Sequence, residues 1–404
     1  MEILKLLVVF IAVMAIVSAK KPVYVATFVG AILTWLLYAI PFSEGLKAVI
    51  GGATAWSTIS LILVVYIISF LQNMMALRHS IDKARLGFSS LFNNRWVDCA
   101  AAPIFIGMLP TPNAAFIAGD IVKASASNYL DNDETAVVTS YFRHVSESFM
   151  PTYNAILTAL VISGVAAGEF VIMMMPITAC IIISGCFWFL RGKVPTTTDH
   201  GRSTDKLNDL KEIGIGLWAI MLVVLLVVVL KFQVIAAASI ALVAFFFIHR
   251  FSFKEIRPLF KKSVQMKLYL NTISIMVFKE FLELSGAVQA MTSFFSSLPI
   301  PAFLAFALIF FFGGIVSGSA AMIALCLPAA MIAIPGAPQH VLAFIMGIVY
   351  CSAQLSPTHI CLPLTADYFG ISLGRLFKGS LPAVLTTVVF TIAYYLLLTT
   401  IFPV

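Results

Sequence analysis

Apolar residues in this chain form long continuous runs that short polar or charged segments separate. Several runs reach the roughly 20 residues with which a helix crosses a bilayer, among them 23–40, 172–189 and 381–402. The runs do not show the ten-residue alternation that is typical of a membrane barrel. Because only helices and closed barrels satisfy their backbone groups in lipid, the pattern predicts an all-α polytopic membrane protein.

One ten-residue segment recurs 206 positions later, where Leu109–Ala118 aligns with Ile315–Ala324. The same offset aligns Pro151-Thr152 with Pro357-Thr358. Since two separate motifs share one offset, the sequence indicates a duplicated unit. Each motif interrupts an apolar segment with proline, glycine, serine or threonine. Paired interruptions in matching halves favour a transporter, although such residues also kink helices that are simply packed.

Each half of the chain is predicted to contain three spans, an interrupted segment, a long broken helix and a final span. The first repeat is 1–190, with the interrupted segment 97–128 and the broken helix 134–165; a polar linker covers 191–212; the second repeat is 213–404, with 301–333 and 339–370 as the counterparts. The other predicted spans are 3–19, 22–41, 55–76, 169–190, 213–230, 234–249, 265–285 and 379–402.

The interrupted segments are too short on each side of the break to cross a membrane. An arm of about 14 residues spans about 21 Å, against roughly 30 Å of hydrocarbon, which favours a re-entrant hairpin. With two hairpins, 19 loop lysines and arginines lie on one side and 3 on the other, whereas single crossings split them 9 to 13. The positive-inside rule therefore favours about ten spans, inverted halves and both termini outside the cell membrane.

Composition supports lipid as the solvent of this chain. Hydrophobic residues make up 61% and charged residues 11%, whereas soluble proteins carry roughly 25% charged residues. The net charge of +7 comes from loop residues and does not indicate nucleic-acid binding. The six cysteines lack C-x-x-C spacing and are interpreted as apolar filler. No G-x-x-x-x-G-K-[ST] motif is present, so neither a cofactor nor ATP drive is expected.

The breaks carry the candidate site, because a broken helix exposes N–H groups at one stub and carbonyls at the other. Helix N-termini favour an anion, and the carbonyls and hydroxyls could hold a small cation. The candidate substrate-binding residues are Thr111, Pro112, Asn113, Arg143, Thr152, Ser317, Gly318, Ser319, Thr358 and His359. No metal site is otherwise expected, and a possible Na⁺ would lie near Thr111, Thr152, Ser317 and Thr358.

Ionisable residues within the apolar part of the chain are costly and usually serve a function. Arg143 could contact a carboxylate, and Glu147 stands four residues on, where the two can pair on one helix face. His144, Glu147 and His359 are the candidates for carrying a coupling proton or cation. Two other interpretations stay open: a structural Arg143–Glu147 ion pair, and a His359 that only hydrogen-bonds at a helix end.

Three segments carry a resemblance that covers nearly the whole chain. They are Gly107-Met108-Leu109-Pro110-Thr111-Pro112, Tyr141-Phe142-Arg143-His144 through Pro151, and Ser356-Pro357-Thr358-His359-Ile360-Cys361-Leu362 with Leu364-Thr365. The chain resembles the ion-transporter superfamily of gluconate, citrate and dicarboxylate permeases, and more narrowly the prokaryotic membrane family called domain of unknown function 401. The resemblance implies elevator-like secondary transport of an organic anion, and it favours a homodimer, since relatives by fold tend to dimerise.

The expected function is therefore that of a cation-coupled permease for a small organic anion such as a carboxylate, and not that of an enzyme. H⁺ and Na⁺ both remain candidates for the coupling ion, in symport or antiport. A passive anion channel is one alternative. An intramembrane serine hydrolase with Ser317 or Ser319 as nucleophile and His359 as base is another. The segment Gly314–Gly318 does not have the G-x-S-x-G pattern of a hydrolase, which weighs against it.

Overall fold

The computed structural model describes residues 2–19, 21–80, 94–108, 114–196, 205–286, 299–359 and 361–402, and the elements in these ranges are helices. They are α1 (Glu2–Ser18), α2 (Val23–Leu37), α3 (Phe42–Thr54), α4 (Trp56–Leu77), α5 (Arg95–Gly107), α6 (Ala114–Ala126), α7 (Asn132–His144), α8 (Asn154–Ser163), α9 (Ala167–Gly185), α10 (Lys206–Val228), α11 (Val234–Ile248), α12 (Phe253–Lys262), α13 (Met266–Leu284), α14 (Ala302–Ser317), α15 (Ser319–Ala333), α16 (Pro338–Ala353), α17 (Cys361–Phe369) and α18 (Leu373–Ile401). The all-helical prediction is confirmed.

Among the described residues, four helical stretches are long and apolar enough to cross a membrane, by length and composition: Phe42–Leu77, Ala167–Leu190, Lys206–Val228 and Leu373–Ile401. Large apolar side chains on the outer faces are exposed, for example those of Leu36, Phe247 and Val389. Apolar surface on this scale requires a non-aqueous environment. The chain is a membrane protein.

The two interrupted segments each consist of two helices that pack against one another, α5 with α6 and α14 with α15. Gly318 separates α14 from α15 with φ 84° and ψ 157°, a backbone conformation that side-chain-bearing residues avoid. The equivalent break in the first half, 109–113, lies outside the described residues.

Both long broken helices also break near their prolines. Helix α7 tightens into a 3₁₀ turn at Val145–Ser148, and α8 begins only at Asn154, beyond Pro151. Helix α16 ends at Ala353, and α17 begins at Cys361, beyond Pro357. Backbone N–H and C=O groups are therefore released at two places within the helical bundle.

The two halves pack on one another reciprocally, so that each pairing recurs with the halves exchanged. Helix α4 packs on α11, and its counterpart α13 packs on α2. Helix α8 packs on α15 and α17 packs on α6, while α7 packs on α18 and α16 packs on α9. As part of this exchange, the 3₁₀ turn at the first break packs on α16 of the other half.

Two short helices were not predicted, α3 and α12. They are counterparts, because α3 packs on α13 and α12 packs on α4. In α12 the Ser252 hydroxyl accepts a hydrogen bond from the Glu255 N–H, and the Glu255 carboxylate accepts from the Ser252 N–H at 2.8 Å. This S-x-x-E capping box is visible in the sequence, but the segment is too short and too charged to register as a span.

Helix α10 begins at Lys206 and not at 213, so the segment predicted as a polar linker, 191–212, ends in helix. The Asp205 side chain accepts a hydrogen bond from the Asn208 N–H at 3.0 Å and caps this helix. The charges that follow had suggested a loop. A capped helix can carry them because they lie on its exposed first turns.

Candidate functional site

The two broken helices meet at their breaks. The rings of His144, at the end of α7, and His359, just before α17, pack edge to face with centroids 4.8 Å apart. The Nε2 atom of His359 lies 3.5 Å from the Oε2 atom of Glu147. Side chains from opposite halves of the chain therefore form one cluster, although more than 200 residues separate them in sequence.

Arg143 lies in the last turn of α7 with only 1% of its surface exposed. Its Nη1 atom donates to His144 Nε2 at 2.9 Å, and the same atom lies 3.5 Å from Glu147 Oε1. Since arginine has no acceptor, His144 Nε2 must accept, and His144 Nδ1–H donates to the Ser140 carbonyl at 2.5 Å. This arrangement fixes His144 as a neutral imidazole with its proton on Nδ1.

Glu147 is the acidic member of the cluster. Besides Arg143 and His359, its carboxylate faces His144, with 3.9 Å between Oε1 and Nε2. The positive charge of Arg143 and the negative charge of Glu147 balance when both imidazoles are neutral. A buried cluster of zero net charge avoids the desolvation cost of an unpaired ion.

Cys361 completes the group, at the first turn of α17. One ligand-type atom from each of His144, Glu147, His359 and Cys361 lies within 4.8 Å of all the others. His359 Nε2 is buried without a hydrogen-bond partner among the described residues. Cys361 belongs to no C-x-x-C pair, and for that reason the sequence favoured its interpretation as apolar filler. The H-x-C pattern at His359–Cys361 was the available signal.

In the first half, the C-terminal end of α5 is hydrogen-bonded to the break between α7 and α8. The Tyr153 hydroxyl donates to the Gly107 carbonyl and lies 3.4 Å from the Ser146 hydroxyl. A Cβ atom on Gly107 would overlap the Arg143 carbonyl oxygen. The helix end therefore approaches the cluster closely because residue 107 has no side chain.

The second half has an equivalent hydrogen bond between the break after α16 and the end of α14. The Ser356 hydroxyl donates to the Ile315 carbonyl at 2.8 Å and lies 2.8 Å from the Thr358 hydroxyl. A Cβ atom on Gly318 would lie 2.8 Å from Thr358 Oγ1. In both halves a hydroxyl from the broken helix thus satisfies a carbonyl at the end of the neighbouring helix.

The predicted site residues fall into three groups. Arg143, His144, Glu147 and His359 come together in the cluster, and Gly318 contacts Thr358 beside it, with Ser317 and Ser319 on either side of Gly318. Thr152 lies apart in a mainly apolar recess next to Met108 and Gln72, and its hydroxyl is buried without a described hydrogen-bond partner. Thr111, Pro112 and Asn113 lie outside the described residues.

Comparison with known proteins gives one family and several similar structures, of which two are described. The model of the family described as "Protein of unknown function (DUF401)" matches residues 2–397. MtrF of Neisseria gonorrhoeae, described with a class of antimetabolite efflux pumps, is 13% identical with a TM-score of 0.48, over 87% of this chain and 82% of that one. The YdaH transporter of Alcanivorax borkumensis is 13% identical with a TM-score of 0.47, over 89% of each chain. No curated protein matches.

Proposed function

The chain belongs to the DUF401 family, and we propose that it is a secondary transporter of a small organic anion across the cell membrane. The observation that carries this proposal is the buried Arg143 at the point where two broken helices meet. A guanidinium presents several donors to a carboxylate, and its burial among helix breaks supports a binding role.

The architecture proposed for this function is an inverted repeat of about ten spans with re-entrant hairpins at 97–128 and 301–333. The hairpin arms α5, α6, α14 and α15 contain 13, 13, 16 and 15 residues. Helices of this length reach about 20–24 Å, short of the roughly 30 Å hydrocarbon core. The reciprocal packing of the halves supports the duplication. Elevator-type movement of the hairpins with the broken helices would expose the cluster to each side in turn.

Charge balance supports coupling to a cation. The resting cluster is neutral, so a carboxylate that binds alone would leave a net negative charge in a site removed from water. A carboxylate that binds with one proton or one Na⁺ leaves the total unchanged. Anion and cation would therefore move together, which makes symport the favoured mode.

His359 and Glu147 are the proposed proton carriers. His144 is less suited, because both of its ring nitrogens already have fixed hydrogen-bonding roles. Its role would be to orient Arg143. Na⁺ would instead be held by oxygens of Ser317, Thr358 and the backbone of the breaks, the type of ligand that hard cations prefer.

The first prediction concerns uptake by purified protein in proteoliposomes. Radiolabelled mono-, di- and tricarboxylates are offered under an inward proton gradient and, separately, an inward Na⁺ gradient. We expect gradient-dependent accumulation of at least one anion, and its loss to background in Arg143→Ala. Arg375→Ala is the matched control, because Arg375 pairs with Asp133 at the exposed surface. Both variants are checked for a monodisperse size-exclusion profile.

Uptake by Arg143→Ala at the wild-type rate would remove Arg143 from the site and end the proposal. A channel is distinguished in the same vesicles by counterflow. Preloaded unlabelled anion accelerates entry of labelled anion through a carrier, whereas it has no such effect on a pore.

A further inference from the structure

We propose that His144, Glu147, His359 and Cys361 form a binding site for a divalent metal ion of the Zn²⁺ type. The ligand atoms of all four lie within 4.8 Å of one another. In the part of the chain that the structure describes, no other group of three or more His, Cys, Asp or Glu side chains has this spacing. The proposal concerns binding and does not depend on the proposed transport.

The donor set identifies the class of metal. Imidazole nitrogen and thiolate sulfur suit Zn²⁺, Co²⁺ and Ni²⁺, whereas Na⁺, Mg²⁺ and Ca²⁺ prefer oxygen ligands. Two histidines, one carboxylate and one cysteine are all ligands that zinc uses, and four ligands make the closed tetrahedron usual for it. Cys361 binds as the thiolate, so its proton leaves to solvent when the metal enters. The charges of Glu147 and the thiolate then balance those of the metal.

The distances fit after a small closure. In a tetrahedral zinc site, bonds of about 2.0–2.3 Å place ligand atoms roughly 3.3–3.8 Å apart. Glu147 Oε2 already lies 3.5 Å from His359 Nε2, and Glu147 Oε1 lies 3.9 Å from His144 Nε2. The remaining separations, at most 4.8 Å, need a contraction of about 1 Å, which is within reach of side-chain rotation.

The surroundings of the two histidines also match those of metal ligands. His144 donates Nδ1–H to the Ser140 carbonyl, which turns the lone pair of Nε2 towards the cluster. Such a bond from the second ring nitrogen to a carbonyl or carboxylate accompanies most metal-bound histidines. His359 Nε2 is buried, makes no hydrogen bond to the described residues and lies 3.5 Å from Glu147 Oε2, so it is placed to bind a metal ion together with that carboxylate.

Arg143 makes the site switchable. Its guanidinium currently donates to the same His144 Nε2 that the metal would use. A metal ion must therefore displace Arg143 from His144, and the displaced guanidinium gains a donor for another acceptor. The metal and the released Arg143 together form a site of net positive charge, which an anion would complement.

The test uses Co²⁺ as a spectroscopic probe of the full-length protein in detergent. Thiolate–Co²⁺ bonds give an intense near-ultraviolet charge-transfer band that oxygen and nitrogen ligands do not give. We expect this band to saturate at one Co²⁺ per chain and to disappear on addition of Zn²⁺. Cys361→Ser should abolish the band, and His359→Ala should weaken Co²⁺ binding by on the order of tenfold or more.

Matched controls are Cys326→Ser and His340→Ala, which alter a buried cysteine and a buried histidine outside the cluster and should bind Co²⁺ like the wild type. A wild-type protein without the band, or a band that survives in Cys361→Ser, would overturn the proposal. If Cys361→Ser does not fold, alkylation of the wild type decides: Zn²⁺ should slow modification of Cys361 by maleimide at least tenfold, and equal rates would refute the site. A protein that fails to transport anions but shows the band loses only the proposed function.

Discussion

The guanidinium of Arg143 is almost completely buried by the surrounding helices. The free-energy cost of burying its charge is therefore offset by a nearby negative charge. Glu147 lies 3.5 Å away and supplies the balancing charge. The sequence showed this pair through its spacing of four residues. The sequence also marked His359 as a candidate, but it did not show that His359 and Cys361 lie beside Glu147, because both come from the other half of the chain and approach Glu147 only where the helices break.

Replacing Glu147 with Gln should destabilise the protein by about 3–5 kcal/mol, because it removes the carboxylate that lies 3.5 Å from the buried Arg143 guanidinium. The control is Glu134→Gln. Glu134 pairs with Lys193 at the surface, and we expect a loss below about 1 kcal/mol there. Denaturant unfolding in detergent measures both. The double variant Arg143→Gln/Glu147→Gln should recover part of the lost free energy of unfolding. If Glu147→Gln is as stable as Glu134→Gln, the Arg143–Glu147 pair does not stabilise the protein.

At the scale of elements, the continuous apolar runs were sufficient to predict the long helices, and the prolines were sufficient to predict where two of them break. The short helices α3 and α12 escaped prediction because they are too short to register as separate spans. The start of α10 escaped because charged residues occupy its first turns. The length of an apolar run predicts the part of a helix that lies in the hydrocarbon core. It does not predict the charged turns by which the same helix extends beyond that core.

The contact between α5 and the first break depends on Gly107. Gly107→Ala should displace α5, because its Cβ atom would overlap the Arg143 carbonyl oxygen and crowd the Ser146 hydroxyl. Overpacking of this kind costs about 1–3 kcal/mol, and it should also reduce transport by shifting Arg143. Gly51→Ala is the control, since a Cβ atom there meets nothing within 4 Å and alanine favours the helix. Thermal unfolding and uptake are measured for both. Equal behaviour of the two variants would refute the close approach.

For the whole molecule, the sequence predicted the duplication from two motifs with one offset, and the structure adds the reciprocal packing of the halves. The exchange of partners between halves could not be predicted, because apolar patterning shows which face of a helix is buried and not which helix covers it. Neither helix packing nor the apolar pattern determines the orientation of the chain in the membrane. The orientation depends on the distribution of lysine and arginine among the loops.

If both interrupted segments are re-entrant, each half crosses the membrane five times, and Lys193 and Phe402 end on opposite sides. If each segment crosses once, each half contains six crossings, and Lys193 and Phe402 lie on the same side of the membrane. Single cysteines at these positions, in a background whose six native cysteines are replaced by serine or alanine, report the side through a membrane-impermeant maleimide. Both side chains are exposed enough to react. We expect Phe402→Cys to react in intact cells and Lys193→Cys to react only after permeabilisation. Labelling of both in intact cells, or of neither, would replace the re-entrant hairpins with full crossings. The cluster around Arg143 would then need a different route to each side of the membrane.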